Sequence, residues 1–296
     1  MKKVLLVVVS AVLAAAMAVS MVACGNASKI KIIDVDLSSE QYGAAIKKGN
    51  TELKTEIDAN LEQLCSEEGY EVNGEKVTFS SLYEAEMAAQ ESNEVISIGK
   101  VKTTSTDRSK ELVVATNAEF APFEYRIGLD EFGGIDMQIA KFLADAMGKE
   151  LVISHMAFEV VLEAVNSGDA DIALAGLTIN EERAKQVDFS IAYYDTTQRI
   201  AVAADNTMFD NCTTEEQVVE VLKGLSGVSA GAAKNQTGYY YLYGDESFEF
   251  EGYRDNMTVK PYQTVAAAVQ DLANGTITLV CADKDTLQAS VNAING

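Results

Sequence analysis

Short apolar runs alternate with amphipathic segments along the middle of the chain. Apolar side chains recur every three or four residues at 135–147 and 158–165, the spacing of helices with one buried face. Between these segments lie short apolar runs typical of buried strands, at residues 112–115, 151–154 and 171–175. Strands separated by helices of this length predict an α/β fold, with largely parallel sheets and helices on both faces.

The same alternation restarts near Thr214, which forms a capping-box pattern with Gln217 at the start of a helix. The elements predicted after this helix are strands at 228–233, 258–261 and 276–282 and helices that begin at residues 239, 265 and 286. The two α/β blocks are joined through residues 194–205. They predict two lobes, and a cleft between lobes is a usual place for a small-molecule site.

Residues 166–194 (NSGDADIALAGLTINEERAKQVDFSIAYY) carry the clearest chemistry. An apolar strand leads through a turn at Gly176 into a capped helix start at residues 178–183. The N–H groups at such a helix start lack partners within the helix, so they favour a negative group. Arg183, one turn into the helix, can hold a carboxylate through two hydrogen bonds. This segment therefore predicts a site for a small anion.

The part of the chain before residue 111 is less regular. Residues 30–35 and 42–46 predict strands, and residues 49–69 predict a helix whose apolar face includes Cys65. Residues 70–110 show only a possible helix at 82–90, followed by a polar connection at 102–110. The last helix, at 286–294, has no strand after it, whereas strand 30–35 has no element before it. Joining the two ends of the chain would restore the alternation.

Residues 1–23 have the pattern of an export signal. Lys2 and Lys3 precede an apolar run, and small residues lead directly into Cys24. The alternative is a transmembrane anchor, for which the apolar run is short. The pattern resembles a bacterial lipoprotein signal, which implies acylation of Cys24 and a stable membrane tether through several acyl chains. Residues 24–28 would then link the anchor to the folded part.

Composition narrows the possible functions. With 296 residues and 48% hydrophobic residues, the chain is long enough for two cores. The net charge of −22 argues against nucleic acid or anionic lipid as a partner. No CxxC motif is present and the only histidine is His155, so no metal or cofactor is expected.

Three cysteines follow Cys24 in the sequence, and an odd number cannot form a complete set of disulfides. Cys281 lies in an apolar run and Cys65 follows leucines at helical spacing, so both are predicted to be small core residues. Whether any two of the cysteines Cys65, Cys212 and Cys281 pair stays open at this point.

Four segments carry a family resemblance: residues 112–125 (LVVATNAEFAPFEY), 134–148, 166–194 and 42–50 (YGAAIKKGN). They resemble the bacterial solute-binding proteins of polar amino-acid ABC transporters, such as those for glutamine or for lysine, arginine and ornithine. The resemblance implies a hinge-linked, two-lobe, type II periplasmic-binding-protein-like α/β fold. It also implies a monomeric, extracytoplasmic, lipid-anchored receptor that delivers a free amino acid to an ABC transporter permease in the cell membrane.

One departure from that family concerns the order of segments. In the family the segment like 42–50 comes at the C-terminal end, whereas here it comes first, so we expect a circular permutant. Strand 30–35 should then join the sheet that contains residues 276–282. The expected second lobe comprises residues 29–38 and 198–296. The expected first lobe comprises residues 39–72 and 109–197, with residues 73–108 linking the old termini and hinge strands near 39–43 and 195–200.

The resemblance also implies roles for single residues. Arg183 would hold the ligand carboxylate, beside Gly176 and Thr178, and Asp283 on the other lobe would receive the ammonium. The remaining implied positions are aromatic walls at Phe120 and Phe158, a second-lobe turn at Thr237 and Gly238, and ligand side-chain contacts at Asn117 and Lys234. Phe120 and Phe158 fit a core position equally well.

Two functions of other classes remain open. Some proteins of this fold resemble dehydratases that act on small carboxylic acids, and Glu119 or Glu124 would then serve as the general acid. The other possibility is an extracytoplasmic sensor of amino acids. Within the receptor hypothesis, Asn117 stands where relatives that favour basic side chains often carry an acid, which favours a neutral polar amino acid.

Overall fold

The computed structural model describes residues 29–72 and 74–296, so the expected signal segment and Cys24 lie outside the described residues. The helices are α1 (Thr51–Cys65), α2 (Phe79–Glu91), α3 (Ile135–Ala146), α4 (Val161–Ser167), α5 (Glu181–Gln186), α6 (Glu215–Gly224), α7 (Thr237–Tyr243), α8 (Val265–Ala273) and α9 (Lys284–Asn295). Within the described ranges, none of these helices has both the length and the apolar composition to cross a membrane.

The strands before the midpoint of the chain are β1 (Ile30–Ile32), β2 (Glu40–Tyr42), β3 (Ala45–Lys47), β4 (Tyr70–Val72), β5 (Glu75–Val77), β6 (Ser97–Lys100), β7 (Glu111–Thr116), β8 (Glu119–Phe120), β9 (Glu124–Arg126) and β10 (Glu131–Gly133). Those after it are β11 (Glu150–His155), β12 (Ile172–Ala173), β13 (Val187–Phe189), β14 (Tyr194–Thr196), β15 (Gln198–Ala203), β16 (Ser229–Ala233), β17 (Thr258–Tyr262) and β18 (Leu279–Asp283).

Two five-stranded sheets organise the molecule, and each sheet with its covering helices forms one lobe. The first-lobe sheet has the order β11-β7-β12-β3-β13, and the second-lobe sheet has the order β1-β15-β18-β16-β17. In each sheet four strands run in the same direction and one, β3 or β15, runs opposite to them. The prediction of largely parallel sheets is therefore confirmed, with one reversed strand in each sheet. The reversed strands are those that directly follow the two chain segments passing between the lobes.

Those two segments pair with each other at the hinge. Strand β2 lies antiparallel to β14, with Tyr42 opposite Tyr194. The single strand predicted at residues 42–46 is wrong, because β2 ends at Tyr42 and β3 joins the first-lobe sheet separately. The chain turns at Gly43, where an added Cβ would lie 2.8 Å from Cδ1 of Ile179. The sequence from Tyr42 to Ile46 therefore contains a bend between the hinge strand β2 and the sheet strand β3.

Helix α1 forms as the apolar spacing predicts, and it buries Ile57, Leu61 and Leu64. The prediction that Cys65 is a core residue is wrong, because this side chain is exposed. Successive helical residues are turned by about 100°, so the residue after Leu64 leaves the buried face. Cys281 is buried as predicted, and Cys65, Cys212 and Cys281 are all free thiols.

The segment expected to link the old termini is folded against the first lobe over its described part. Helix α2 contains the helix predicted at 82–90 and packs on α1 and α3. Its Glu86 is fully buried and accepts hydrogen bonds from the Tyr125 hydroxyl at 2.7 Å and from Nε2 of Gln138 at 3.0 Å. Burial raises the pKa of Glu86. Strand β6 of the same segment pairs with β10, which adds a second contact between this segment and the first lobe.

The first strand and the last helix lie side by side. Strand β1 pairs with β15, whose other neighbour is β18, so the strand predicted at 30–35 does join the sheet formed by the strand predicted at 276–282. At its start, the Ile30 N–H donates to Oδ1 of Asn295 at 3.0 Å, and Nδ2 of Asn295 donates to the Ile30 carbonyl at 2.8 Å. The end of α9 is thus hydrogen-bonded to the beginning of β1.

The packing of α2 predicts a large effect of Glu86→Ala. This substitution leaves the buried donors of Tyr125 and Gln138 without their acceptor, so the free energy of unfolding should fall by about 2 kcal/mol in urea titrations. Glu84→Ala, on the exposed face of the same helix, should change it by less than about 0.5 kcal/mol. Equal effects of the two substitutions would mean that α2 does not pack on the first lobe.

Candidate functional site

The carboxyl ends of the parallel strands of both sheets face the space between the lobes. In the first lobe, β7, β11 and β12 lead into Asn117, Phe158 and Gly176. In the second lobe, β16 leads into Thr237, and β18 ends at Asp283. Open α/β sheets bind ligands at these ends, because the loops that follow the strands converge there. The expected site residues that come shortly after a recognisable strand thus lie at the same edge of the sheets.

A small cavity of about 10 Å³ lies where the two lobes meet. Its lining consists of Phe120, Phe158, Ala175, Gly176, Thr178, Arg183, Gln236, Thr237 and Asp283. The structure therefore brings seven of the ten expected ligand-site residues to one cavity. The volume suffices for about one water molecule, so the lobes are in a closed arrangement.

The other three expected residues lie elsewhere. Asn117 and Lys234 line a neighbouring cavity of about 250 Å³, which shares Phe158 with the small one. Gly238 packs against β18, where an added Cβ would come within 2.6 Å of the Cys281 carbonyl oxygen. The structure thus gives Gly238 a role in bringing α7 close to the sheet.

Arg183 is buried, with 6% of its surface exposed. Its Nη1 donates to the Thr178 carbonyl at 2.9 Å, and its Nη2 reaches the Asn235 carbonyl of the second lobe at 3.4 Å. The guanidinium lies 5.5 Å from the ring centre of Phe158 and 5.7 Å from that of Phe248. Burial lowers the pKa of Arg183 from its ordinary value. Among the described residues, no carboxylate lies within ion-pair distance of Arg183.

Asp283 is buried on the opposite side of the cavity. One of its carboxylate oxygens accepts a hydrogen bond of 2.6 Å from the Tyr42 hydroxyl. Burial and the negative charge of Glu40 raise the pKa of Asp283 to about 7, although the bond from Tyr42 acts in the opposite direction. No cation of the described residues forms an ion pair with Asp283, so the protein itself compensates the ionised form of this carboxylate poorly.

Sequence reasoning missed the hinge residues of the site. Glu40 and Tyr42 stand two apart on β2, so their side chains lie on the same face of the strand. Tyr42 contacts Asp283, and Oε2 of Glu40 accepts from the Thr178 hydroxyl at 2.9 Å. The signal that could have identified them is a glutamate and a tyrosine at strand spacing, at the start of the motif at 42–50.

A buried group also supports the turn at Gly176. This glycine has a positive φ of 54°, and an added Cβ would lie 2.7 Å from the Phe120 ring, so both its conformation and its neighbour require glycine. The Gly176 N–H donates to Oδ2 of Asp136 at 2.9 Å, and the Tyr193 hydroxyl donates to Oδ1 at 2.8 Å. The turn therefore cannot offer that N–H to an anion.

The helix after this turn begins within the expected range. The capped helix start predicted at residues 178–183 is confirmed, since α5 begins at Glu181 and its cap is Asn180, whose side chain accepts from the Arg183 N–H at 2.9 Å. Thr178 and Asn180 are both good capping residues, and local sequence does not separate them. Thr178 is instead free to face the cavity.

The two expected general acids differ in location. Glu124 is fully buried beside Asp136 and does not line the cavity, so the expectation that it faces the cleft is wrong. Burial and the neighbouring carboxylate raise the pKa of Glu124 well above its usual range. Glu119 lines the neighbouring cavity together with His155, whose Nδ1 accepts from the Ala118 N–H.

The raised pKa of Asp283 predicts a pH dependence of stability. Between about pH 4 and pH 7 the folded protein holds a proton on Asp283 that the unfolded chain has lost, so stability falls as the pH rises through this window. Asp283→Asn removes this contribution. The variant should be more stable than the wild type by about 2–4 kcal/mol at pH 8 and nearly equal to it at pH 4.

Urea unfolding at several pH values measures this difference. Asp136, whose pKa is raised to about 6, titrates in the same window but is unchanged in the variant, so its effect cancels. If the free energy of unfolding changed with pH in the same way for both proteins, the raised pKa of Asp283 would be contradicted.

Comparisons with known proteins place this site in a family. The model of the bacterial extracellular solute-binding proteins, family 3, matches residues 112–294, which is more than half of the chain. The chain is 34% identical over 141 residues to the arginine-binding extracellular protein ArtP of Bacillus subtilis, covering 47% of this chain and 52% of that protein. It is 29% identical over 170 residues to a probable histidine-binding protein of Neisseria gonorrhoeae, covering 57% and 58%.

This chain thus spans little more than half the length of those two relatives. A shorter match, 35% identical over 82 residues, covers 28% of this chain and 31% of the cyclohexadienyl dehydratase of Pseudomonas aeruginosa. Among solved structures, an ancestral arginine-binding protein bound to arginine aligns with a TM-score of 0.52 and 29% identity, over 62% of this chain and 74% of that one. The fold is the two-lobe α/β fold of type II periplasmic binding proteins, and the chain belongs to the bacterial extracellular solute-binding proteins of family 3.

Proposed function

We propose that this protein is an extracytoplasmic receptor that binds a free amino acid between its two lobes. The observation that carries the proposal is the pair of buried opposite charges in one cavity. Arg183 lies on the first lobe and Asp283 on the second, and neither has an ion-pair partner among the described residues. The carboxylate and the ammonium of an amino acid would supply the two missing charges.

Each lining residue then has a role. Arg183 holds the ligand carboxylate, and the hydroxyl of Thr237 approaches it from the second lobe. Asp283 receives the ammonium, and this nearby cation would favour the ionised form of Asp283, whose pKa is raised by burial and by Glu40. Phe120 and Phe158 form apolar walls.

The ligand side chain is proposed to extend into the neighbouring cavity, which Asn117 and Lys234 line. Its volume of about 250 Å³ suits a side chain of moderate length. The same cavity carries the carboxylates of Glu119 and Glu159, so it offers groups of both signs together with the Asn117 amide. We therefore propose a polar amino acid, with L-glutamine and L-arginine as the first ligands to test.

Binding requires the lobes to open and close, because the present cavity is much smaller than an amino acid. The paired hinge strands β2 and β14 are the proposed location of that rotation. In the closed state both lobes would contact the ligand, so bound ligand would shift the equilibrium between open and closed forms towards the closed form. This closed form is the proposed species that delivers the amino acid to an ABC transporter permease.

Circular permutation is part of the proposal. The match to the family begins at residue 112 and leaves out β1, β2, β3 and α1, although these elements complete both sheets and the hinge. The contact between Ile30 and Asn295 supports a former direct connection from α9 into β1. In this proposal, residues 29–38 belong with the second lobe, residues 39–72 with the first, and residues 73–108 join the old termini.

The proposed membrane attachment comes from the sequence alone. Cys24 follows the pattern of a lipoprotein signal, and acylation there would hold the receptor at the outer side of the cell membrane, as a monomer beside its permease. The alternative of a dehydratase has one supporting feature, the Glu119 carboxylate beside His155 in the side-chain cavity. Turnover assays on a ligand identified by thermal shift distinguish an enzyme from a receptor.

Arg183→Ala should weaken amino-acid binding more than about 100-fold, because it removes the only buried cation of the small cavity. A thermal-shift screen over the common L-amino acids identifies the ligand, and titration calorimetry then measures the affinity. Lys185→Ala, on the exposed side of the same helix, should leave affinity unchanged. Unchanged affinity in folded Arg183→Ala would remove the central claim.

A reordered chain tests the permutation. Residues 109–296 followed through a short Gly-Ser linker by residues 29–108 should fold and bind the same amino acid within a few-fold of the original affinity, because its new junction joins ends that already touch. A control chain reordered so that its new termini fall inside β7, a buried central strand, should fail to fold. Failure of both reordered chains would contradict the permutation.

A further inference from the structure

Glu40 is a buried acid that no role assigned above explains. It lies on hinge strand β2 with 7% of its surface exposed. Three donors converge on its carboxylate: the Ser38 hydroxyl at 2.6 Å and Nε2 of Gln198 at 3.0 Å on Oε1, and the Thr178 hydroxyl at 2.9 Å on Oε2. All three partners are donors, and the oxygens of a carboxylate accept.

This arrangement fixes the orientation of the Thr178 hydroxyl. A threonine hydroxyl has one proton and two lone pairs, and a carboxylate can only accept, so the proton of Thr178 points to Glu40. Towards the cavity, Oγ1 of Thr178 is left as an acceptor. In the closed structure, Oγ1 of Thr237 lies 3.2 Å from it, and Thr237 must therefore be the donor.

We propose that Glu40 is a positioning residue that makes Thr178 an acceptor for the ligand ammonium, and that it thereby selects amino acids over the corresponding hydroxy acids. The inference rests on the proposed function and deepens it. The ammonium would replace the Thr237 hydroxyl on Thr178, and Thr237 would then turn its proton to the ligand carboxylate. A ligand carboxylate oxygen placed against Thr178 would instead meet another lone pair.

The number of donors explains the selectivity. An ammonium carries three protons and needs several acceptors, whereas an α-hydroxyl carries one. Asp283 offers one acceptor from the second lobe, since its other oxygen already takes the Tyr42 hydroxyl. Thr178 offers a second acceptor from the first lobe only while Glu40 holds its proton. Without this second acceptor, the single hydroxyl proton of a hydroxy acid still has a hydrogen-bond acceptor in Asp283. An ammonium, by contrast, loses one of its hydrogen bonds.

Glu40→Gln tests the inference, because the amide has nearly the same shape but can donate to Thr178 and occupy its lone pair. The measurement is the affinity of wild type and variant for four compounds: L-arginine, L-glutamine and the α-hydroxy analogue of each. The wild type should prefer the bound amino acid over its hydroxy analogue at least about 100-fold. The variant should reduce this preference about 10- to 100-fold, through weaker binding of the amino acid alone.

Glu111→Gln is the matched control. Glu111 is also a buried glutamate that accepts several hydrogen bonds, among them one of 2.6 Å from Ser105, but it lies at the opposite end of β7 from the site. Its substitution should leave the preference unchanged. Thermal unfolding without ligand verifies that both variants are folded.

A double-mutant cycle tests whether Glu40 acts through Thr178. In a Thr178→Val background the hydroxyl is absent, so Glu40→Gln should have little further effect on the preference. The inference is overturned if folded Glu40→Gln keeps the wild-type preference, or if it weakens amino and hydroxy acids equally, as a merely structural role would. Wild-type protein that binds none of the common L-amino acids in the thermal-shift screen would overturn the proposed function itself, and the inference with it.

Discussion

Two opposite charges that are buried in one cavity without pairing with each other are the constraint on which this site depends. Removing a charge from water is costly unless hydrogen bonds or a counter-charge compensate it. Arg183 has two backbone carbonyls and two aromatic rings for this purpose, and Asp283 has the Tyr42 hydroxyl. Each lobe and the hinge contribute to this partial compensation. In the proposed function, a dipolar ligand between the two charges would complete the compensation.

The sequence predicts the parts of the site that follow local patterns. An apolar strand is recognisable from its own residues, and the residue at its carboxyl end is then placed at the ligand edge of the sheet. This reasoning pointed to Gly176, Thr178 and Arg183, which belong to one strand–turn–helix segment. The family resemblance added Asp283 and the aromatic residues Phe120 and Phe158. The apolar character of the two aromatic residues alone did not distinguish a wall from a core position.

The parts that sequence reasoning missed depend on contacts between distant segments. Tyr42 and Asp283 are 241 residues apart in the chain, and Glu40 is 138 residues from Thr178. No local sequence pattern predicts a contact between residues so far apart. Helical spacing alone does not decide whether a side chain at the edge of the buried face is covered, as the exposed Cys65 at the end of α1 illustrates. The reversed strand in each sheet, β3 or β15, is also set by non-local structure, because it depends on where the chain crosses between the lobes.

The position of β1 decides which lobe the beginning of the described chain belongs to. The chain enters the described structure at Lys29 and passes directly into β1, which pairs in the second-lobe sheet and is hydrogen-bonded to the last helix. In the proposed function, the membrane anchor precedes this strand. Opening of the cleft would then move the first lobe, with Arg183, relative to a second lobe that carries Asp283 and stays with the anchor.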